Sequence, residues 1–333
     1  MSMTAIAFGP VPSRRLGRSL GINNIPPKSR SYSCVYCQVG RTVELATERR
    51  AFYPPDEVVR QVEARVREVR ERGEAIDHLT FVPDGEPTLD VNLGKEIAGL
   101  GPLGIPVAVI SNASLVGRED VRADLLRADW VSLKVDAVRE AVWRRLNRPR
   151  GSLRLDDQLQ AGLRFSRRFA GTLATETLLV AGFNDRETHI DELGRYLEAL
   201  GPDVAYLSLP TRPPAEEWVL APADDVVFRA WQSLATRLGN TRVELLIEDE
   251  GNAFASTGDA RADLLAITAV HPMREDAVRD LLARAGARWP LVEQLVRQGL
   301  LVRREHRGQA FFMRRFARRP SPVMVGAAPR GTA

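Results

Sequence analysis

Short apolar runs alternate with longer amphipathic runs from about residue 17 to residue 240. Six of the apolar runs predict buried β-strands: RSLGINN, HLTFVPDG, PVAVISN, WVSLKVDA, TLATETLLVAG and DVAYLSLP. The stretches between them predict helices. The clearest of these, PPDEVVRQVEARVREVRERG, ends at Gly73 and has a predicted buried stripe of Val59, Val62, Val66 and Val69. Apolar strands separated by helices are typical of parallel βα units that are buried on both faces.

The pattern changes near residue 250. Three short helical runs, RADLLAITAVH, REDAVRDLLARAG and RWPLVEQLVRQG, precede LLVRREHRGQAFFMRR, in which two β-like runs flank a turn at Arg307 and Gly308. Three helices followed by a hairpin favour a winged-helix-like module, which either contacts nucleic acid or only packs on a neighbouring domain. We therefore expect a barrel domain over residues 1–250, a winged-helix-like domain over 251–316 and a basic flexible tail over 317–333.

The composition is that of an ordinary soluble protein, with 44% apolar and 27% charged residues among 333. The N-terminal stretch MSMTAIAFGPVPSRR is too short and too weakly apolar for a signal peptide, and no apolar run reaches the length of a membrane helix. The chain has two cysteines. We therefore predict a cytoplasmic protein, without a membrane partner, whose thiols are reduced or bound to metal.

The net charge of +4 is unevenly distributed. Residues 303–333 carry eight Arg and one Glu, a net charge of +7, so that the first 302 residues sum to −3. A basic C-terminus predicts contact with RNA or another acidic surface. The alternative is a solvated tail that only keeps the protein soluble.

Polar or glycine-rich residues follow the predicted strands. In a parallel βα barrel the functional residues lie on the loops after the carboxyl ends of the strands. The candidates, in chain order, are Cys34 and Cys37 after the first strand, Asp84, Gly85 and Glu86 after the second, Ser111 and Asn112 after the third, and Lys134 and Asp136 at the fourth. This placement predicts one site on one rim of an α/β fold, a partial (β/α)6 TIM-type barrel.

Several of these stretches resemble the radical SAM proteins, and in particular the branch associated with wyosine synthesis in tRNA. The motifs are GPVPSRRLGRSLGINNIPPKSRSYSCVYCQVGRT, FVPDGEPTLDVNLG, ISNASL, LKVDA, TETLLVAGFND and LPTRPPAEEWV, in this order over residues 8–250. The resemblance implies a [4Fe–4S] cluster on a C-x3-C-x2-C loop, whose fourth iron binds the amino and carboxylate groups of S-adenosylmethionine. It also implies an electron donor, radical chemistry that begins with reductive cleavage of the sulfonium, and RNA as a substrate.

The resemblance also implies roles for individual residues. Cys34 and Cys37 would be the second and third cluster thiols, and Tyr36 would lie beside the adenine. Asp84, Gly85 and Glu86 match the motif that binds the methionyl ammonium group. Ser111 and Asn112 would lie near the ribose or the carboxylate. The resemblance also assigns Lys134 and Asp136 to the S-adenosylmethionine site, although an internal ion pair and a turn residue are equally consistent with the sequence.

The position of the first cluster thiol is taken by Arg30, four residues before Cys34. A guanidinium stays protonated at any relevant pH and has no lone pair for iron, so Arg30 is not a ligand. Cluster ligation normally uses a thiolate at every iron that the protein binds. We therefore expect cluster binding to be compromised.

Three interpretations of the cysteine pair remain open. The chain is an active radical SAM enzyme with an unusual or labile cluster, or a non-catalytic regulator that binds S-adenosylmethionine or nucleic acid on the same barrel. The third interpretation is a plain Cys-x-x-Cys pair, as half of a zinc site, a redox pair or two structural cysteines. A zinc site needs two further ligands, and the four histidines are scattered along the chain.

Overall fold

A computed structural model describes residues 5–38, 40, 44–246, 254, 256–306 and 308–315. The strands of its first part are β1 (Ala7–Ser13), β2 (Gly17–Ile22), β3 (Ser29–Arg30), β4 (Glu44–Leu45), β5 (His78–Phe81), β6 (Val107–Ser111), β7 (Trp130–Lys134), β8 (Thr172–Leu178), β9 (Val204–Ser208) and β10 (Val243–Leu246). Its helices are α1 (Pro55–Glu71), α2 (Leu93–Leu100), α3 (Glu119–Leu125), α4 (Glu140–Asn147), α5 (Leu155–Ser166), α6 (Glu187–Leu200) and α7 (Asp224–Leu238).

Eight strands form one sheet in the order β1-β2-β5-β6-β7-β8-β9-β10. All neighbours are parallel except β1 and β2, which pair antiparallel. The α/β fold is therefore a curled half-barrel whose parallel strands all end at the same rim. The six strands predicted from the sequence are all present, and β1 and β10 extend the sheet at its two edges.

The main core lies between the sheet and the helices that connect its strands. Its buried side chains are almost all apolar and come from the strands and from the inner faces of α1 to α3 and α5 to α7. On α1 the buried stripe differs from the predicted one: Val58 is buried, whereas Val59 is half-buried and packs on Gly99 of α2. A β-carbon at Gly99 would lie 2.7 Å from Val59, so that glycine permits the close approach of the two helices.

The C-terminal region contains three helices and a small antiparallel sheet. These elements are α8 (Ala260–Val270), β11 (Met273–Arg274), α9 (Glu275–Arg284), α10 (Pro290–Arg297), β12 (Leu301–His306) and β13 (Gln309–Arg314), with strand order β11-β13-β12. Their apolar core includes Phe8 and Val11 of β1, so this region packs directly on the antiparallel edge of the sheet. The winged-helix assignment and the domain boundaries stay predictions, and the predicted tail lies outside the described residues.

None of the helices in the described ranges combines the length and the apolar character that a membrane crossing requires.

Candidate functional site

The cysteine loop, residues 28–38, lies against the carboxyl end of α4. The backbone N–H of Val35 donates to the carbonyl of Leu146 at 2.9 Å, and that of Ser33 donates to the carbonyl of Asn147 at 3.0 Å. A tight turn, closed by a hydrogen bond of 3.1 Å from the Cys37 N–H to the Cys34 carbonyl, brings the two cysteines together. Backbone bonds therefore position this loop, whatever its side chains are.

The same loop runs close to the residues that follow β5. The Glu86 N–H donates to the Ser29 carbonyl at 3.1 Å. A β-carbon on Gly85 would lie 2.5 Å from that carbonyl and 2.4 Å from Ile25, so only glycine fits there without a shift of the backbone. Lys28 adopts a left-handed backbone conformation, with φ of +70°, where the loop meets these residues.

Glu86 is almost completely buried, and its carboxylate accepts hydrogen bonds from neighbouring residues of the protein. It accepts hydrogen bonds from the Thr88 hydroxyl (2.6 Å) and N–H (3.2 Å), the Ser111 hydroxyl (2.8 Å) and the Asn112 N–H (2.7 Å). Burial raises the pKa of Glu86, and these donors oppose the rise. Glu86 therefore joins the ends of β5 and β6 and positions the loops around it.

Arg30 lies beside the second cysteine. Its guanidinium donates to the Cys37 sulfur and to the Asp84 carboxylate. Burial alone would lower the pKa of Arg30, but Cys37 and Asp84 outweigh that effect and raise it. The side chain thus carries a fixed positive charge next to the Cys37 sulfur.

Asp84 lies beneath Arg30 and contacts two cations. Its other oxygen is 3.2 Å from the Lys28 ammonium nitrogen, and the side chain is essentially inaccessible to solvent. Burial raises the pKa of Asp84, which Arg30 and Lys28 oppose. Asp84 does not line the pocket itself, so it acts through the cations that it holds.

The ends of the central strands carry an interlocked set of charges. Lys134 of β7 and Glu176 of β8 are paired in register, and their charged atoms are 3.0 Å apart. Arg15 also contacts Glu176, and the Ser208 hydroxyl donates to it at 3.0 Å. Burial lowers the pKa of Lys134, but Asp136 and Glu176 outweigh burial and raise it. Lys134 is therefore an internal ion-pair partner that also faces the pocket.

Tyr36 and Asp136 belong to a buried network beneath Cys34. The Tyr36 hydroxyl donates to Asp136, and the Asn147 amide donates to Asp136 at 2.7 Å and to the Tyr36 oxygen at 3.0 Å. The same amide is 3.5 Å from the Cys34 sulfur. Burial, with a contribution from Asp136, raises the pKa of Cys34 to about 11. Asp136 lies below the pocket surface, whereas Tyr36 and Cys34 line the pocket.

These groups surround a pocket of about 290 Å³ at the strand ends. Of the residues proposed from the sequence, those that line it are Cys34, Tyr36, Cys37, Gly85, Glu86, Ser111, Asn112 and Lys134, together with Arg30. Apolar walls from Val82, Ile110, Leu178 and Leu209 accompany the polar groups. The volume is near the lower limit of ordinary small-molecule sites, and a mixture of apolar walls and a few convergent polar groups is typical of such sites.

A [4Fe–4S] cluster does not fit the donor set of this pocket. The cysteine loop offers two thiols, and the position that the family resemblance assigns to the first thiol holds the Arg30 guanidinium, which donates to Cys37. Within the described residues, no group of three or more His, Cys, Asp or Glu side chains is arranged to hold a metal ion. The half-zinc-site interpretation lacks its two further ligands in those residues for the same reason.

Sequence reasoning did not single out several residues of the pocket. They include Tyr32, Glu176, Ser208 and Val270. Glu176 is the most consequential of them, because it holds two cations. It lies inside an apolar run, and only the register of β7 and β8 reveals its partner. Val270 comes from α8, so the C-terminal region also contributes to the pocket wall.

Comparison with known proteins identifies the family and the fold of this chain. Residues 31–194 match the radical SAM superfamily. A UPF0026 protein of Methanocaldococcus jannaschii is 44% identical over 318 residues, which cover 96% of this chain and 98% of the relative.

Solved structures share the fold at low sequence identity. TYW1 with a lysine-pyruvate adduct bound is 17% identical with a TM-score of 0.50, over 66% of this chain and 73% of that one. Streptococcus suis SuiB bound to its precursor peptide SuiA is 13% identical with a TM-score of 0.51, over 68% of this chain and 48% of that one. At these identities the likeness extends to the fold alone.

Proposed function

The chain belongs to the UPF0026 family within the radical SAM superfamily, and we propose that it binds S-adenosylmethionine in the strand-end pocket without performing cluster-dependent radical chemistry. The single observation that carries the second half of this proposal is the Arg30 guanidinium, which occupies the first-thiol position and contacts Cys37 and Asp84. In this interpretation the protein is a non-catalytic, ligand-binding member of its superfamily.

Family membership and the pocket support the ligand. The superfamily implies S-adenosylmethionine, and the pocket provides apolar walls for an adenosine together with polar groups for an amino-acid arm. Gly85, Ser111 and Asn112 line it, as the resemblance implies for groups near the ammonium, ribose and carboxylate. Glu86 supports these positions from beneath through its hydrogen bonds to Ser111 and Asn112.

The donor count supports the absence of radical chemistry. Two thiolates leave one protein-bound iron of a cubane cluster without a ligand, and a fixed cation cannot replace a thiolate there. When bound, a cluster would supply the electron that cleaves the sulfonium, and this chemistry belongs to the cofactor rather than to the protein. The residues present here hold a ligand, exclude water from it and orient it.

The test separates binding from radical chemistry. Purified protein is treated anaerobically with iron and sulfide, and iron content, the brown absorbance band and 5′-deoxyadenosine release are measured beside calorimetric binding of S-adenosylmethionine. The proposal expects binding of S-adenosylmethionine with substoichiometric iron and no 5′-deoxyadenosine. A stable cluster with about four irons per chain and turnover would establish the active-enzyme alternative instead. Failure to bind S-adenosylmethionine would refute the proposal itself.

RNA is a second candidate ligand, favoured by the excess of arginine in residues 303–333. Removal of residues 316–333 deletes three arginines, so the slope of log affinity against log salt concentration should fall by about 2 for single-stranded RNA. Unchanged binding by the shortened chain would leave the tail as a solubility segment.

A further inference from the structure

Arg30 has hydrogen-bonding capacity that the protein does not use. The side chain lines the pocket and is 13% exposed. One terminal nitrogen donates to the Cys37 sulfur and the other to Asp84, whereas the buried Nε–H has no acceptor among the described residues. A guanidinium offers five N–H donors in a planar fork, so it can bind a further acceptor in the pocket.

The partner at Cys37 is a weak one. A cysteine sulfur is a weaker hydrogen-bond acceptor than a carboxylate oxygen, which forms a short, charge-assisted and often bidentate bond with a guanidinium. A ligand carboxylate that displaced the Cys37 contact would therefore improve the bonding of Arg30. Arg30 would keep its hydrogen bond to Asp84, which orients the guanidinium.

The charge around Arg30 also favours an anion. Asp84 is shared between Arg30 and Lys28, and Glu176 is shared between Arg15 and Lys134. The charged residues that line the pocket are five cations (Arg14, Arg15, Arg30, Lys134 and Arg212) and two carboxylates (Glu86 and Glu176), and the carboxylates of Asp84 and Asp136 contact Arg30 and Lys134 beneath its surface. A cleft lined by an excess of one sign attracts a group of the opposite sign.

We propose that Arg30 binds the α-carboxylate of the ligand's amino-acid arm, so that this pocket selects adenosyl compounds that carry a carboxylate. The inference rests on the proposed binding of S-adenosylmethionine and specifies how that ligand is recognised. In the proteins that this sequence resembles, iron holds this carboxylate. Here the Arg30 guanidinium attracts the carboxylate in place of iron. The same arginine that replaces the first cluster thiol thereby makes the pocket selective for ligands with a carboxylate.

The experiment compares two ligands that differ only in the carboxylate. Metal-free, reduced protein is titrated calorimetrically with S-adenosylmethionine and with decarboxylated S-adenosylmethionine. We expect the native protein to bind the first at least about tenfold more tightly, which corresponds to about 1.4 kcal/mol. In Arg30→Gln the ratio should fall close to one. In Arg30→Lys, which keeps the charge but loses the planar fork, it should fall to an intermediate value.

Two further variants separate a specific contact from general charge. Arg212→Gln removes another cation of the pocket wall and should reduce the ratio by less than Arg30→Gln does. Arg18→Gln removes an arginine that pairs with Asp77 outside the pocket, and it should leave the ratio unchanged.

The outcomes keep the two proposals distinguishable. Equal affinity of the native protein for both ligands overturns the role of Arg30 and leaves the proposed function intact; this comparison needs no variant. A ratio that survives in Arg30→Gln, or one that Arg212→Gln reduces equally, also overturns the role. Binding of neither ligand overturns the proposed function and this inference together.

Discussion

Two walls of the pocket differ in how their buried charged side chains are held in place. The strand wall consists of Ser111, Lys134, Glu176 and Ser208, which lie at the ends of β6 to β9. The loop wall consists of Arg30, Cys34 and Cys37 on the cysteine loop, and the buried Asp84, on the turn after β5, holds Arg30 from behind.

On the strand wall every charge has partners that the register of the sheet brings together. Lys134 meets Glu176 because the two are neighbours across a parallel pair of strands. Changing one of them leaves the other buried with one opposite charge fewer, which is costly. A substitution of a charged residue on the strand wall is therefore expected to lower the stability of the protein.

On the loop wall the backbone holds the shape of the cysteine loop, and Arg30 shares the buried Asp84 carboxylate with Lys28. The cysteine loop is anchored by N–H to carbonyl bonds at Ser33, Val35 and Glu86. Arg30 contributes its carbonyl to such a bond with Ala46, which any residue would do equally well. A change of side chain at position 30 therefore keeps these backbone bonds and leaves Asp84 with Lys28 as its cation.

The largest expected effect is a gain of iron in Arg30→Cys. If position 30 is the sole defect, a third thiolate at the family spacing should raise bound iron after anaerobic reconstitution to about four per chain, with a brown absorbance band. Ser33→Cys adds a third thiol at the wrong spacing and is the matched control. No gain of iron in Arg30→Cys, or an equal gain in Ser33→Cys, would contradict the placement of Arg30 at the first-thiol position.

A substitution on the strand wall should change the free energy of unfolding rather than the binding of iron. Lys134→Met leaves the Asp136 carboxylate, 3.6 Å from the ammonium, without its cation and leaves Glu176 with Arg15 alone. We expect the free energy of unfolding in urea to fall by about 3 kcal/mol at pH 7. Lys95→Met, at an exposed position of α2, is the control and should change it by less than about 0.5 kcal/mol.

The sign of the pH dependence checks the cause of that loss. Burial favours protonated Glu176, but Lys134 and Arg15 outweigh burial and lower its pKa below the ordinary 4.5. The stabilisation is therefore present above pH 4.5 and is lost as the pH falls below it. The difference between Lys134→Met and the native protein should shrink in acid, and a constant difference would point to packing instead.

Glu96 of α2 shows what a buried carboxylate does without the donors of either wall. It is fully buried, and neither oxygen has a well-formed hydrogen bond in the described part of the chain. Burial, with contributions from Asp90 and Asp124, raises its pKa from 4.5 to about 8. Its contribution to stability is therefore complete below pH 4.5 and is lost as the pH rises through about 8.

Glu96→Gln mimics the protonated group and should remove this loss. Relative to the native protein, the variant should gain about 3 kcal/mol in free energy of unfolding between pH 6 and pH 9. Denaturant titrations at these two values measure the effect. A difference that does not change with pH would mean that Glu96 stays charged in the folded protein.

The smallest expected change in stability is at Glu86, which joins the ends of β5 and β6. Glu86→Gln replaces an acceptor oxygen by an NH2 group that faces donors from Thr88, Ser111 or Asn112. We expect a loss of about 2 kcal/mol in the free energy of unfolding at pH 7. Glu71→Gln, at an exposed position of α1, is the control. Equal effects of the two substitutions would deny Glu86 its positioning role.

The sequence alone determined the order of the strands and helices, because a period of two or of 3.6 residues is a local property of the chain. It also placed the candidate residues on one rim, since the carboxyl ends of parallel strands share an edge. The loop spacing alone placed Arg30 four residues before Cys34, and the effect of this guanidinium on cluster binding stays a prediction.

Only the tertiary structure decided which charges meet. Glu176 lies inside an apolar run, and it is the register of β7 and β8 that pairs it with Lys134. Asp84 and Arg30 are 54 residues apart in the chain, and they meet because Gly85 lets two loops approach. Contacts between distant segments depend on strand register and on close packing, which no local pattern encodes.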